Sequence, residues 1–483
     1  MQVQEIRGKK ALVSKTNQEL FQHDENELLK TFLDAPFIRA KNTRFFESPA
    51  ISMLELIVTP ECNQKCEYCY ITKYGSELYP HHLRADKPTT LNNIKMIMDY
   101  LVYEKHYIFK AYELFAGDMF STDLFFDTME TLYPYFEYVF ERAPELFEIG
   151  PEERIIIVPC NMRFVDNDEA AAKAKEWVYK FREINMKLVF SWSHDGKYSA
   201  DLRERTELTD EYYEKVFTFL KDTDGGIHPM LSYEGIGNAK ANLDWWLEMF
   251  KKYFPERVAA GDYMPIHLEV RNDGWTDETI TEYLEYLRYR LEKIFDMHDN
   301  DIDAIARYLF HADGQGLPDF DQFDCVADEP FSECAMSCSM QKSMVIRVSD
   351  LSIVPCHRLS YHQFLGGWFI PNEEKTKIVD VKANNVGQLI DIKSHHVTLA
   401  PECCICWNNK NCLHGCLGAQ YEWSGELYLP IPSVCKLQKA KTSFILKMFV
   451  ETGILQSAIN QNILKEYHKN HLLNLCRKLG YTL

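Results

Sequence analysis

Three cysteines fall close together in Cys62-Asn63-Gln64-Lys65-Cys66-Glu67-Tyr68-Cys69, a C-x3-C-x2-C spacing. Thiolates are soft ligands, and three this close can converge on one metal centre. Three is one too few for a four-iron cubane, whose irons each need a ligand, so one iron would stay open to a small molecule. The alternatives from the residues alone are a zinc knuckle or plain buried thiols, although zinc normally takes a closed set of four ligands. A second constellation comprises Cys334, Cys338, Cys356, Cys403, Cys406, Cys412, Cys416 and Cys435. Its core, Cys403-x2-Cys406-x5-Cys412-x3-Cys416, is also a ligand-like spacing, with a zinc ribbon as its alternative. Cys325 rivals Cys334, and Cys404 stands beside Cys403.

The elements that must position these thiols read as alternating strands and helices. Strands are expected at 53–59, 110–115, 154–159, 187–192, 227–232 and 264–271. Helices are expected at 91–105, 122–138, 168–184, 209–222, 239–252 and 276–296. Six β–α repeats are fewer than the eight of a closed barrel, so an open, partial (β/α)6 TIM-like barrel is expected, with ligands at the C-terminal strand ends. The first cysteine loop follows the first strand directly. The chain divides into an N-terminal extension (1–50), the barrel (51–298), an acidic linker (299–333), a cysteine-rich α+β module (334–435) and a helical tail (436–483). A short helix is expected at 301–310 and a strand at 344–348.

The charge is 53 basic minus 72 acidic residues, or −19, which disfavours nucleic acid and anionic membranes as partners. With 46% apolar and 13% aromatic residues the chain can build a packed core, and no apolar run is long enough to span a bilayer. No signal peptide is visible at the start, so a cytoplasmic location is expected. Fifteen cysteines in a reducing compartment then call for metal ligation rather than disulfides.

The first motif resembles that of the radical S-adenosylmethionine (radical SAM) superfamily, in which C-x3-C-x-aromatic-C binds a [4Fe–4S] cluster whose open iron chelates SAM. Tyr68 occupies the aromatic position, which in the family packs near the adenine. Phe115-Ala116-Gly117-Asp118-Met119 resembles the G-G-E stretch that receives the SAM amino group, with Ala116 and Asp118 departing from Gly and Glu. Ser193-His194-Asp195-Gly196 resembles S-x-D-G, placing Ser193 toward SAM. Asn161 after the third strand would meet the ribose, and Arg271 after the sixth would pair with a carboxylate; an ordinary structural role stands beside both readings.

The second constellation resembles the SPASM module that follows many radical SAM domains, with Leu351 in place of its Gly. By that resemblance it would hold two auxiliary [4Fe–4S] clusters. One would use Cys334, Cys338, Cys356 and Cys416, the other Cys403, Cys406, Cys412 and Cys435. Three clusters and SAM would then be the cofactors. The reaction implied is reductive SAM cleavage to a 5′-deoxyadenosyl radical, followed by hydrogen abstraction from a peptide or protein. A crosslink or other oxidative change would result, with a flavodoxin- or ferredoxin-type electron donor. His357 stands where sulfatase-maturing members place an Asp base, so it is the candidate catalytic base. The competing readings are a sulfatase-type or other protein maturase, and a zinc-stabilised binding protein with no redox role.

Overall fold

The computed structural model describes residues 25–31, 33, 53–147, 154–203, 208–261, 268–310, 343–394, 401–409, 412, 415–464 and 466–482. Strand β1 (Met53–Thr59) is buried along its whole length, as the apolar run MLELIVT predicts for a parallel strand covered on both faces. It pairs in parallel with β2 (Ala111–Ala116), which continues through β3 (Ile155–Cys160) and β4 (Lys187–Trp192) to β5 (Gly226–Ile227). The helices between and after these strands alternate with them. They are α1 (Tyr70–Leu78), α2 (Lys87–Met98), α3 (Phe125–Arg142), α4 (Asp168–Glu183), α5 (Asp210–Thr223), α6 (Ala239–Tyr253) and α7 (Asp277–Met297). Of these, α2 to α6 contribute to the core on one face of the sheet. The starts of α2, α4 and α5 are set by side-chain caps: Asp86 accepts from Thr89 N, Asn167 from Glu169 N and Ala170 N, and Thr209 from Tyr212 N. Leu54, Leu56 and Val58 point to this helical layer and join its core with Leu114, Ile156 and Phe190. The alternate residues Glu55 and Ile57 face the other way.

Three features depart from the sequence expectation. The helix expected over 91–105 runs from Lys87 and ends in a wide turn, Asp99–Glu104, where Lys105 N bonds Tyr100 O at 3.0 Å. The strand expected at 227–232 is split. Its first part is β5, and its second, β6 (Met230–Leu231), leaves the main sheet to pair with β7 (Leu268–Glu269). Pro229 between them has no N–H for the ladder, and Met230 N donates instead to Asp195 Oδ1 at 2.8 Å. The five-stranded parallel sheet and this separate pair therefore make an open array, with residues 264–267 of the sixth strand outside the described residues.

The third is the sheet's extension. Strand β8 (Ser343–Arg347) pairs in parallel with the free side of β1, Met53 opposite Ser343 through Ile57 opposite Arg347. The antiparallel strands β9 (Ser352–Val354), β10 (Gly367–Pro371) and β11 (Ile378–Ala383) complete nine strands. Arg347 secures the junction: its guanidinium bonds Asp350 and donates to the carbonyls of Leu78 and Ser360, both at 2.9 Å. At the far edge the N-terminal helical turn packs Leu29 into the core, and Ala383 N donates to Asn26 Oδ1 at 2.7 Å.

Beyond the sheet lie α8 (Ile302–Phe310), α9 (Val386–Ser394), α10 (Leu417–Ser424), α11 (Pro432–Glu451), α12 (Ile454–Asn460) and α13 (Glu466–Leu479). Leu446, Phe449 and Ile454 form a second core with Leu287, Ile294 and Ile305. Among the described residues no helix is long and apolar enough to cross a membrane. One buried ion pair ties α11 to β7: Lys441 Nζ donates to Glu269, and Tyr283 OH donates to the same oxygen at 2.7 Å. Burial alone would raise the Glu269 carboxyl; Lys441, with Arg271 behind it, outweighs this and holds it well below the usual carboxylate range. Lys441→Met is expected to leave a buried charge unpaired and cost ~3–5 kcal/mol. A thermal melt at neutral pH should show a large drop, most of it recovered by adding Glu269→Gln; an unchanged melting point would contradict the role of the pair.

Candidate functional site

The cysteine loop follows β1 at the C-terminal end of the parallel sheet, and every neighbouring strand end is stitched to it. Gly117 N donates to Thr59 O at 2.7 Å, and Asp118 N to Glu61 O at 2.8 Å. Asn161 Nδ2 donates to Asn63 Oδ1 at 2.6 Å, Glu67 N to Leu202 O at 3.0 Å, and Asn272 Nδ2 to Tyr68 O at 3.4 Å. Gly117 is required here, because a Cβ would meet the Glu61 carbonyl oxygen at 2.0 Å. Cys62, Cys66 and Cys69 are unpaired by disulfides and only partly buried, and Cys69 leads into α1. Burial pushes the Cys62 thiol up to about 11 and the Cys66 thiol up to about 12; Asp118 and Cys69 raise Cys62 further, and Cys69 and Cys62 raise Cys66. Thiols so placed ionise when a metal supplies the compensating charge. Three soft donors in one loop are a donor set of the kind that an iron–sulfur cluster takes.

The residues singled out from sequence meet around this loop, with more specific tasks than their spacing indicated. The Asp118 carboxylate is buried and accepts from Phe120 N at 3.0 Å, Ser121 N at 3.1 Å and Asn161 N at 2.9 Å. It fixes the β2 and β3 ends, while Gly117 N is spent on Thr59 O and Ala116 pairs with Thr59 in the ladder. Asn161 is likewise committed, its Oδ1 accepting from Arg163 N at 2.9 Å. The Ser193 hydroxyl makes no hydrogen bond among the described residues, while Ser193 N bonds Cys160 O at 2.9 Å. His194 turns away, stacked on Trp192 at 4.4 Å, and burial lowers it to about 3, so it is neutral. Asp195 receives Tyr68 OH, Arg203 Nη2 at 2.7 Å and Met230 N at 2.8 Å. Burial opposes its charge, but Arg203 prevails and holds the carboxyl below its usual range. Tyr68 is thereby clamped between the loop and the β4 end, with Arg203 5.3 Å from its ring. Arg271 follows β7 and adds its charge beside Glu269.

The inner side of the sheet holds a group that sequence reasoning missed in part. Glu55 and Glu113 sit directly opposite each other on β1 and β2. His357, in the turn after Cys356, reaches them: its Nδ1 lies 2.8 Å from Glu55 Oε1, and its ring stacks on Phe115 at 4.1 Å and near Tyr70 at 5.7 Å. Burial alone would lower the imidazole, yet the Glu55 carboxylate outweighs it and raises the affinity for a proton. Glu113 is pushed up to about 7, first by burial and then by the Glu55 charge, with His357 opposing. The signal was present in sequence: a lone Glu before Leu interrupts each of two apolar strands, LELIV and YELFA. Next to His357, Arg358 bonds Glu422 and donates to Asn272 Oδ1 at 2.7 Å, joining the second cysteine segment to the end of β7.

The second set of thiols divides in space. Cys403, Cys412 and Cys435 line one cavity, and Cys406 adds its charge to Cys435. Cys416, the residue before α10, instead acts on Arg358, which follows Cys356 and His357. Cys325, Cys334 and Cys338 lie outside the described residues. Among the described residues no three Cys, His, Asp or Glu side chains close on a single-ion site.

Glu113 yields a pH prediction. Its folded carboxyl, at about 7 against an ordinary 4.5, binds a proton that the unfolded chain has released. Stability should therefore fall as pH rises from about 4.5 through 7. Glu113→Gln should flatten this decline, raising the melting temperature at pH 8 relative to wild type and not at pH 4; parallel curves would refute it.

No protein-family model matches the chain, and no curated protein matches it significantly. Solved structures do. Native anSMEcpe with bound AdoMet superposes with a TM-score of 0.51 at 14% identity, over 83% of this chain and 98% of that one. Streptococcus suis SuiB bound to precursor peptide SuiA aligns at 13% identity over 80% of this chain and 76% of that one, with a TM-score of 0.32. The chain shares the fold of the first: a mixed α/β architecture on a large parallel sheet.

Proposed function

We propose that the chain is a radical SAM enzyme that modifies a peptide or protein. The observation that carries this reading is the C-x3-C-x2-C loop at the C-terminal mouth of an open parallel sheet, stitched to the ends of β2, β3, β4 and β7. The shared fold with a structure that holds AdoMet supports it. Cys62, Cys66 and Cys69 would hold the SAM-binding cluster. When bound, that cluster and SAM supply an electron and a 5′-deoxyadenosyl radical able to take hydrogen from an unactivated position.

The chain's own residues do the rest. The carbonyls of the Ala116–Gly117 stretch and the hydroxyl of Ser193 would orient SAM, while Tyr68, Asp118 and Asn161 hold the loop that carries the thiols. Phe115 and Tyr70 wall the interior against water. His357, with Nδ1 engaged by Glu55, presents Nε2 as the site that takes a proton from substrate. Glu113 beside it is the next acceptor in line. Cys356, Cys403, Cys406, Cys412, Cys416 and Cys435, with Cys334 and Cys338, are the proposed ligands of two auxiliary clusters. These would accept the electron released as the substrate radical is oxidised, and a flavodoxin- or ferredoxin-type protein would supply the first electron. The domain limits given above, and a cytoplasmic location, belong to the same reading. A sulfatase-type maturase is the second reading, weakened by His357 in place of Asp.

Anaerobic reconstitution is expected to give about twelve irons and as many sulfides per chain, from three four-iron cubanes. Reduced protein with SAM should release 5′-deoxyadenosine, and Cys62→Ala, Cys66→Ala or Cys69→Ala should abolish that release while retaining about eight irons. Zinc without sulfide, or undiminished 5′-deoxyadenosine in the variants, would overturn the assignment.

A further inference from the structure

Cys435 and Gln438 lie three residues apart on α11, so both present to the same side of the helix. That side lines the cavity shared with Cys403 and Cys412. Gln438 is 1% exposed, and neither atom of its side-chain amide has a hydrogen-bond partner among the described residues. A buried carboxamide with nothing to bond is costly and rare. The helix around it is otherwise satisfied: the Gln438 carbonyl accepts from Asn408 Nδ2 at 3.1 Å and from Thr442 Oγ1 at 3.0 Å. The residue is thus held at its backbone, with its unbonded side chain on the wall of the cavity that the thiols share.

The opposite wall has the same construction. Gln420, four residues after Cys416 on α10, is also 1% exposed with its Oε1 unpartnered. A Cβ at Gly415 would meet its Nε2 at 2.5 Å, so the glycine makes room for it. Two fully buried amides on a cavity lined by three cysteines do not make an apolar core: the thiolates supply charge for a metal centre, and the amides add polar atoms beyond what the metal itself would need. Such a wall suits a body with acceptor atoms on its own surface. Bridging sulfides and thiolate sulfurs are such acceptors.

We propose that Gln438 donates its side-chain N–H to the sulfur surface of the cluster held by Cys403, Cys406, Cys412 and Cys435, and so sets that cluster's reduction potential. This rests on the iron–sulfur reading above. Because neither amide atom is bonded, the group is free to turn its N–H inward. One-electron reduction adds negative charge to the sulfurs, which an N–H donor stabilises, so the bond raises the potential. Gln438 is a positioning and tuning residue, with no contact to substrate.

The test uses the full chain, reconstituted anaerobically with iron and sulfide, and an EPR-monitored redox titration. Gln438→Met keeps the length and removes the donor. It is expected to retain the wild-type iron and sulfide while one cluster signal shifts to lower potential and the others stay fixed. Gln438→Asn withdraws the amide by one methylene and is expected to shift the same signal in the same direction; it serves if Met does not fold. A full complement of iron and sulfide with every potential unchanged in the folded variant overturns the proposal alone. Zinc and no sulfide in the wild type would overturn the enzyme reading itself.

Discussion

Strand β1 is hydrogen-bonded in parallel on both sides, to β2 and to β8, and is buried along both faces. The rest of the molecule depends on that constraint. A strand in this position cannot slip, since a shift of one residue would exchange Leu54, Leu56 and Val58 for Glu55 and Ile57 in the outer core. Its C-terminal end is therefore a fixed point, and the cysteine loop begins there. Its inward residue, Glu55, meets Glu113 from one neighbour and His357 from beyond the other. One strand thus places both the thiol loop and the interior acid–base group.

Buried charge does a different job at the joints. Asp195 with Arg203 and Tyr68, Arg347 with Asp350, Arg358 with Glu422, and Glu269 with Lys441 each connect segments distant in sequence or brace a turn between them. Such pairs add little net stability over apolar packing, but losing one partner is expensive, so they enforce one arrangement. Glu55 and Glu113 are the exception: two carboxylates face each other with one imidazole between them. Carboxylates crowded without full compensation are costly to the fold, and groups whose proton affinity is displaced this way gather at functional sites.

The two thiol constellations contrast in the same terms. The first is open to the mouth of the sheet and surrounded by backbone donors and an aromatic clamp. The second lies among helices, with the buried carboxamides of Gln420 and Gln438 on its cavity wall.

By itself the sequence determined the alternation of strands and helices, the helices that begin near 168 and 209, and the thiol spacing. These are local properties: side-chain period, capping chemistry and ligand separation act within a few residues. Only the tertiary structure decided that β8 extends the barrel sheet beside β1, that β6 leaves it after Pro229, and that Asp118 and Asn161 secure the loop instead of facing outward. It also decided that Glu55, Glu113 and His357 form one group, across more than 300 residues of chain between Glu55 and His357. Pairing partners in a parallel sheet are fixed by long-range register and by which buried donors find acceptors, and neither is written in any short window of sequence.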